Sequence, residues 1–214
     1  MKLLFIGNSH TYYNDMPLTV KQLLEATGER AHVTMLTKGG NGLDYHAQDP
    51  ATAFNIRHGE YDLVIAQDRA AQFDPIAFLK GAKALKELAD EAGTQLLLYM
   101  PWAKSDSRHL QREMTEAYLD FCKGNGLRLA PAGETFTKLL QTEDAATLYR
   151  EDGNHATPVG SYAAALTVFY TVTERKRVLN PEAINDPGIA MGLPPALCRK
   201  LHTEACHTAR LYNG

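Results

Sequence analysis

Short apolar runs alternate with longer stretches of helical period along most of this chain. Five runs read as strands: Lys2–Ile6, His32–Leu36, Asp62–Ala66, Gln95–Met100 and a shorter Leu127–Ala130. Between them, Leu18–Ala26, Ile76–Ala92 and Arg108–Lys123 repeat apolar residues at three- and four-residue spacing, which predicts helices with one buried face. Gly28, Gly93 and Gly124 follow these helices as stop signals. Thr157 is a good N-cap and Pro158 is tolerated at the first helical position, so a long helix should run through Ala163, Leu166, Val168 and Phe169. Leu179–Pro195, with prolines at 181, 187, 194 and 195, reads as a surface loop, and Ala196–Arg210 as one more amphipathic helix. Strands that alternate with helices predict an α/β fold: a three-layer α/β/α sandwich around a parallel sheet of about five strands.

Composition narrows the picture. A chain of 214 residues, 44% of them hydrophobic, can bury one sizeable core. We therefore expect a single domain over 1–214, with 180–214 forming a C-terminal loop and helix packed on it. The 22 Lys plus Arg are scattered among 25 Asp plus Glu for a net charge of -3, which gives no basic surface for nucleic acid or membrane. Cys122, Cys198 and Cys206 form neither a disulfide framework nor a CxxC site, which fits a reducing compartment. The apolar stretch Leu3–Ile6 is too short for a secretory core, and no apolar run reaches the ~20 residues of a spanning helix. The expected location is the cytoplasm.

In an open parallel sheet the ligand site lies beyond the carboxyl ends of the strands, so the polar residues that follow each apolar run are the candidates. These are Gly7-Asn8-Ser9-His10, Lys38-Gly39-Gly40-Asn41, Gln67-Asp68-Arg69 and Pro101-Trp102, with Asp152-Gly153-Asn154-His155 just ahead of the last long helix. A serine hydroxyl needs an imidazole to take its proton and a carboxylate to hold that imidazole. Asp152 and His155 supply both: three residues apart, the carboxylate can accept the Nδ1 proton and leave Nε2 facing the serine. Gly153 lets the turn present both side chains together. Donors for a developing oxyanion would be the Ser9 N–H, the Gly40 N–H and the Gln67 carboxamide.

These blocks resemble the SGNH/GDSL hydrolase superfamily, which carries its nucleophile near the N-terminus and a D-x-x-H pair near the C-terminus. The matching segments are FIGNSHTYYND, GGNGLDYH, YDLVIAQD, LYMPWA and DGNHATPVGSY, and the likeness spans residues 2 to about 172. It implies the SGNH/flavodoxin-like fold, Ser9, Asp152 and His155 as the triad, and Ser9, Gly40 and Gln67 as the oxyanion hole. One departure stands out: the usual third block reads Gly-x-Asn-Asp, whereas this chain has Ala66-Gln67-Asp68. The same amide one methylene further out is expected to keep the role with a changed pocket depth.

The expected activity is hydrolysis of a small-molecule carboxylic ester through an acyl-serine, without cofactor or metal. The favoured substrates are small acyl, such as acetyl, esters of a carbohydrate or similar polar alcohol. Asn41, Tyr12, Arg69 and Trp102 are candidate substrate contacts, the last as a sugar platform. Beside Ser9, His10 should be a supporting or substrate-contacting residue, since neighbours on a turn point apart. Cys198, His202, Cys206 and His207 fall on one helix at a spacing that also describes an ordinary packed stripe, so no metal is assigned there. A thioesterase or acyltransferase would need the same triad. A ligand-binding domain that kept the fold without catalysis is the rival from another class, and an organophosphonate would leave it unlabelled.

Overall fold

Apolar residues of the strands fall alternately on two faces, and each face finds its own helices. The computed structural model of the protein describes residues 1–142, 148–174, 179–180 and 185–214. Strands β1 (Lys2–Gly7), β2 (His32–Thr37), β3 (Leu63–Gln67), β4 (Gln95–Tyr99) and β5 (Arg128–Ala130) form one parallel sheet in the order β2-β1-β3-β4-β5. The helices are α1 (Ser9–Tyr12), α2 (Met16–Ala26), α3 (Leu43–His46), α4 (Pro50–His58), α5 (Pro75–Ala92), α6 (Gln111–Asn125), α7 (Ala132–Leu139), α8 (Pro158–Val172), α9 (Pro187–Ala190) and α10 (Pro195–Asn213).

Leu3, Phe5, Leu63, Ile65 and Leu97 pack against Val20 and Leu23 of α2, Phe136 of α7, Leu166 and Phe169 of α8 and Leu201 of α10. On the other face, Leu4, Ile6, Val64 and Leu98 meet Ile56 of α4, Phe78 and Leu85 of α5 and Met114 and Tyr118 of α6. Burial on both faces is why the central strands read as continuous apolar runs rather than as alternating ones. The three-layer α/β/α arrangement is the one expected. No helix among the described residues is long and apolar enough to cross a membrane.

The expected strands and long helices are present with shifted ends. The third helix runs past Gly124 to Asn125, and Gly126, with φ of +64°, takes the left-handed position that ends it. Helix α4 escaped the periodicity because only Thr52 and Ile56 of its nine residues are buried; Asp49 starts it by accepting from Ala51 N and Thr52 N. Within the expected loop 179–195, residues 181–184 lie outside the described residues, and α9 is a single turn capped by Asp186. Helix α10 packs on α8, and its Asn213 amide bonds both the N–H and the carbonyl of Leu129, at 2.9 Å each, as a neighbouring strand would. That pairing occupies the free edge of β5.

Candidate active site

The strand order reverses between β1 and β3, with β2 added on one side and β4 on the other, so the crevice of a doubly wound sheet opens beyond their carboxyl ends. The loop after β1 reaches it first. Asn8 caps α1 by accepting from His10 N at 3.1 Å, and its Nδ2 donates to the Asn41 carbonyl at 2.9 Å, which ties the loop after β1 to the loop after β2. Beneath this turn lies Gln67, fully buried: its Oε1 accepts from Asn8 N at 3.0 Å and from Thr11 Oγ1 at 2.8 Å, and its Nε2 donates to the Asp68 carbonyl. Gly7 makes this possible, since a Cβ there would collide with Thr11 Oγ1 and Gln67 Oε1.

Ser9 sits at the start of α1. His155 Nε2 lies 2.9 Å from Ser9 Oγ, and His155 Nδ1 lies 2.6 Å from Asp152 Oδ2. The other carboxylate oxygen, Oδ1, accepts from the main-chain N–H groups of Asn154 and His155 at 2.9 Å each. The bond to the His155 ring and these two N–H groups hold the Asp152 carboxyl far below the ordinary carboxylate range, despite some loss of hydration. Gly153, with φ of +64°, turns the chain between the two side chains, and its carbonyl is held by Ser105 N at 2.8 Å. The Tyr13 ring packs 4.4 Å from the His155 ring, with the Arg150 guanidinium 5.4 Å above Tyr13. The structure thus brings together the three residues read from the ends of the chain.

A cavity of about 240 Å³ opens beside Ser9, lined by Asn8, His10, Gly40, Arg69, Asn154 and the segment 70–72. The N–H groups of Ser9 and Gly40 have no acceptor among the described residues, and both belong to residues on this cavity. Gln67 is the correction. Its carboxamide is consumed beneath the Asn8–Ser9 turn, with the oxygen fixed by two donors and the NH₂ by a carbonyl, so it does not reach the cavity. A larger groove of about 670 Å³, lined by Arg108, Arg112, Glu134 and Tyr212 among others, touches none of the three residues.

Trp102 is a second correction. It is 1% exposed, its ring stacks on Phe136 at 4.1 Å, and its Nε1 donates to the Asn154 carbonyl at 2.9 Å. It holds the D-x-x-H turn from below and presents no face to a sugar. Tyr12 stacks on Tyr13 at the surface, and Asn41 spends its amide on the Gly39 carbonyl; neither lines the cavity, whereas Arg69 does. His10 is buried, with Nδ1 3.3 Å from Asn8 Oδ1 and its ring 4.8 Å from Trp102. Burial first, and then the neighbouring His155, lower its pKa to about 3, so it is a neutral side chain at physiological pH. Asp68, also buried, accepts from Leu43 N at 2.7 Å, and burial raises its pKa to about 6. Asn154 also lines this cavity, although sequence reasoning gave it no role of its own inside the D-x-x-H block.

No family model and no curated protein matches the chain. Solved structures do. A protein from Slackia heliotrinireducens, provisionally named an SGNH hydrolase, is similar at 27% identity and a TM-score of 0.69, with 80% of this chain and 98% of that one covered. A DUF4886 family protein from Bacteroides uniformis shares the fold over 100% of this chain and 96% of its own, with a TM-score of 0.74 at 17% identity. TesA does so over 81% and 99%, with a TM-score of 0.67 at 13% identity. The chain thus has the fold of SGNH/GDSL hydrolases, and its similarity to the Slackia protein extends over nearly the whole of that protein.

Proposed function

We propose that this protein is a serine-dependent carboxylic ester hydrolase that works through an acyl-serine intermediate. The observation that carries the reading is the continuous array from Ser9 Oγ to His155 Nε2 at 2.9 Å and from His155 Nδ1 to Asp152 Oδ2 at 2.6 Å. Ser9 Oγ attacks the ester carbonyl as its proton passes to Nε2, and the Ser9 and Gly40 N–H groups receive the oxyanion. His155 returns the proton to the departing alcohol. Water then repeats the sequence on the acyl-serine, and the acid leaves. Asp152 keeps the proton on Nδ1, so that Nε2 is the basic nitrogen, and stabilises the imidazolium as it forms.

A small acyl group suits the cavity, whose about 240 Å³ falls below the ~300–1,000 Å³ of ordinary ligand pockets. Its lining of Asn8, His10, Arg69, Gln72 and Asn154 beside two alanines favours a polar ester, such as the acetyl ester of a carbohydrate, over a long-chain lipid. Ser9→Ala, assayed on 4-nitrophenyl acetate, should lower kcat by roughly 10⁴-fold or more with the unfolding midpoint unchanged. Wild-type protein should lose activity on labelling by a small organophosphonate. Retention of most activity by Ser9→Ala, with contamination excluded, sinks the reading.

A further inference from the structure

The array above leaves three polar atoms around the same cavity without a partner. Arg69 Nε, Asn154 Oδ1 and His10 Nε2 are each enclosed with no partner in hydrogen-bond geometry, the His10 ring having only the Asn154 carbonyl facing it, and all three residues line the cavity beside Ser9. Among the described residues only His46 Nδ1 and Thr208 Oγ1 share this condition elsewhere, so the unpartnered atoms concentrate at one place. A buried polar atom left unpaired costs ~1–3 kcal/mol. A ligand that supplies partners here therefore binds better than one that only fills space, and an alkyl group would seal the three atoms away from water unpaired.

The chemistry of the three sets the ligand. Arg69 can only donate, Asn154 can accept through the unpartnered Oδ1, and a neutral imidazole offers one accepting and one donating nitrogen. A group that meets a donor and an acceptor through a single small atom is a hydroxyl. Charge argues against a carboxylate: Arg69 already has Asp44 at 3.8 Å, and Asp68 lies directly before it in the chain with its carboxyl buried among Leu43 and Arg69 main-chain groups. The Asn154 carbonyl, which also faces the His10 ring, adds further negative potential. An incoming anion would be drawn by one guanidinium and repelled by the groups that already neutralise it.

We propose that the cavity beside Ser9 is a subsite for a neutral, hydroxyl-bearing substituent of the ester, held between Arg69 and Asn154 and floored by His10. This rests on the reading of Ser9 as nucleophile. Either half of the ester could carry the hydroxyl, and two pairs of nearly isosteric esters separate the sources in a proton-release assay. Methyl glycolate against methyl propionate places the hydroxyl on the acyl side; 2-hydroxyethyl acetate against propyl acetate places it on the alcohol side. Wild-type protein should favour the hydroxylated member of one pair by roughly 10- to 100-fold in kcat/KM. Asn154→Leu and Arg69→Met should each bring that ratio down by about 10-fold or more, a comparison in which the intrinsic reactivity of the esters cancels.

Ratios near one in both pairs, ratios unmoved by either variant, or a preference for monomethyl malonate over methyl glycolate would each overturn the subsite. Organophosphonate labelling of Ser9 in wild type and in both variants keeps this failure apart from that of the hydrolase. Labelling with unmoved ratios removes only the subsite, and absence of both labelling and turnover removes the hydrolase and the subsite together.

Discussion

Replacing Gln67 by Leu keeps the volume of the side chain and removes its amide. In the structure that amide satisfies Asn8 N, Thr11 Oγ1 and the Asp68 carbonyl, all in the interior. The Thr11 hydroxyl can rotate toward another acceptor, but the Asn8 N–H and the Asp68 carbonyl are main-chain groups and cannot. Two stranded groups at ~1–3 kcal/mol each give a loss of about 2 to 6 kcal/mol, a large share of the ~5–15 kcal/mol that holds a typical domain folded. Urea denaturation should therefore show a large drop in midpoint for Gln67→Leu. Catalysis on 4-nitrophenyl acetate should fall as well, because Asn8 positions Ser9.

Gln67→Glu separates this role from that of an oxyanion donor. One carboxyl oxygen can still accept from Asn8 and Thr11, but the other faces the Asp68 carbonyl and must be protonated to bond it. The acid form is thus favoured in the fold, so the variant should approach wild-type stability below about pH 4.3, the ordinary Glu value, and lose it as pH rises. An oxyanion donor behaves otherwise: its removal costs roughly 10²- to 10³-fold in kcat and leaves the fold intact. Wild-type urea midpoints for both variants, together with a kcat loss of that size, would refute the structural role and return Gln67 to the oxyanion hole.

Asp152→Asn should lower kcat by up to about 10⁴-fold, the scale of the equivalent swap in serine proteases. Two main-chain donors fix Oδ1, so the new NH₂ faces His155 Nδ1 and forces the proton onto Nε2; an unchanged kcat would show that Asp152 is dispensable. His10 stays neutral in the fold down to about pH 3, whereas an unfolded chain protonates it near 6.5, so the unfolded state binds the extra proton between these values. Stability should fall with pH across that window by up to about 5 kcal/mol, and His10→Phe should flatten the fall; equal slopes for the two proteins would contradict this. Asp68 has the opposite sign, since burial raises its carboxyl to about 6 and the folded state holds the proton longer than the unfolded one. Asp68→Asn should gain on wild type by up to about 3 kcal/mol between pH 4 and 7, and a constant difference in urea midpoint would count against it.

The sheet, its flanking helices and the Ser9, Asp152 and His155 array were legible because each rests on a local signal. Apolar runs of strand length mark the sheet, and the turn residues at their ends mark the crevice. What stayed hidden depends on where side chains go after a strand ends. Trp102 follows a strand on the site side and reads as a platform, yet it drops beneath the D-x-x-H turn because Phe136 of α7 offers it a ring to stack on. Asn154 reads as filler between Asp152 and His155 because the triad does not need it. Helix α4 has too narrow a buried face to register as periodic.

Gln67 shows how register could have given the answer. Ile6 pairs with Ala66, so Gly7 and Gln67 are the next partners on one face of adjacent strands, and the glycine leaves the space that the amide fills. The two residues are therefore a matched pair, and their substitutions should not be additive. Gly7→Ala in the wild-type background pushes a methyl into Thr11 Oγ1 and Gln67 Oε1, with an expected cost of ~1–3 kcal/mol from overpacking and the displaced amide. Gln67→Ala opens that space but strands Asn8 N. In the double variant the new methyl enters the room the amide vacated, so Gly7→Ala should cost less there, with a coupling of about 0.5 to 3 kcal/mol in a double-mutant cycle. Thr11 still bounds the site, which keeps the relief partial. Strict additivity of the two urea midpoints would mean that the methyl never meets the amide, and that Gly7 is small for Thr11 alone.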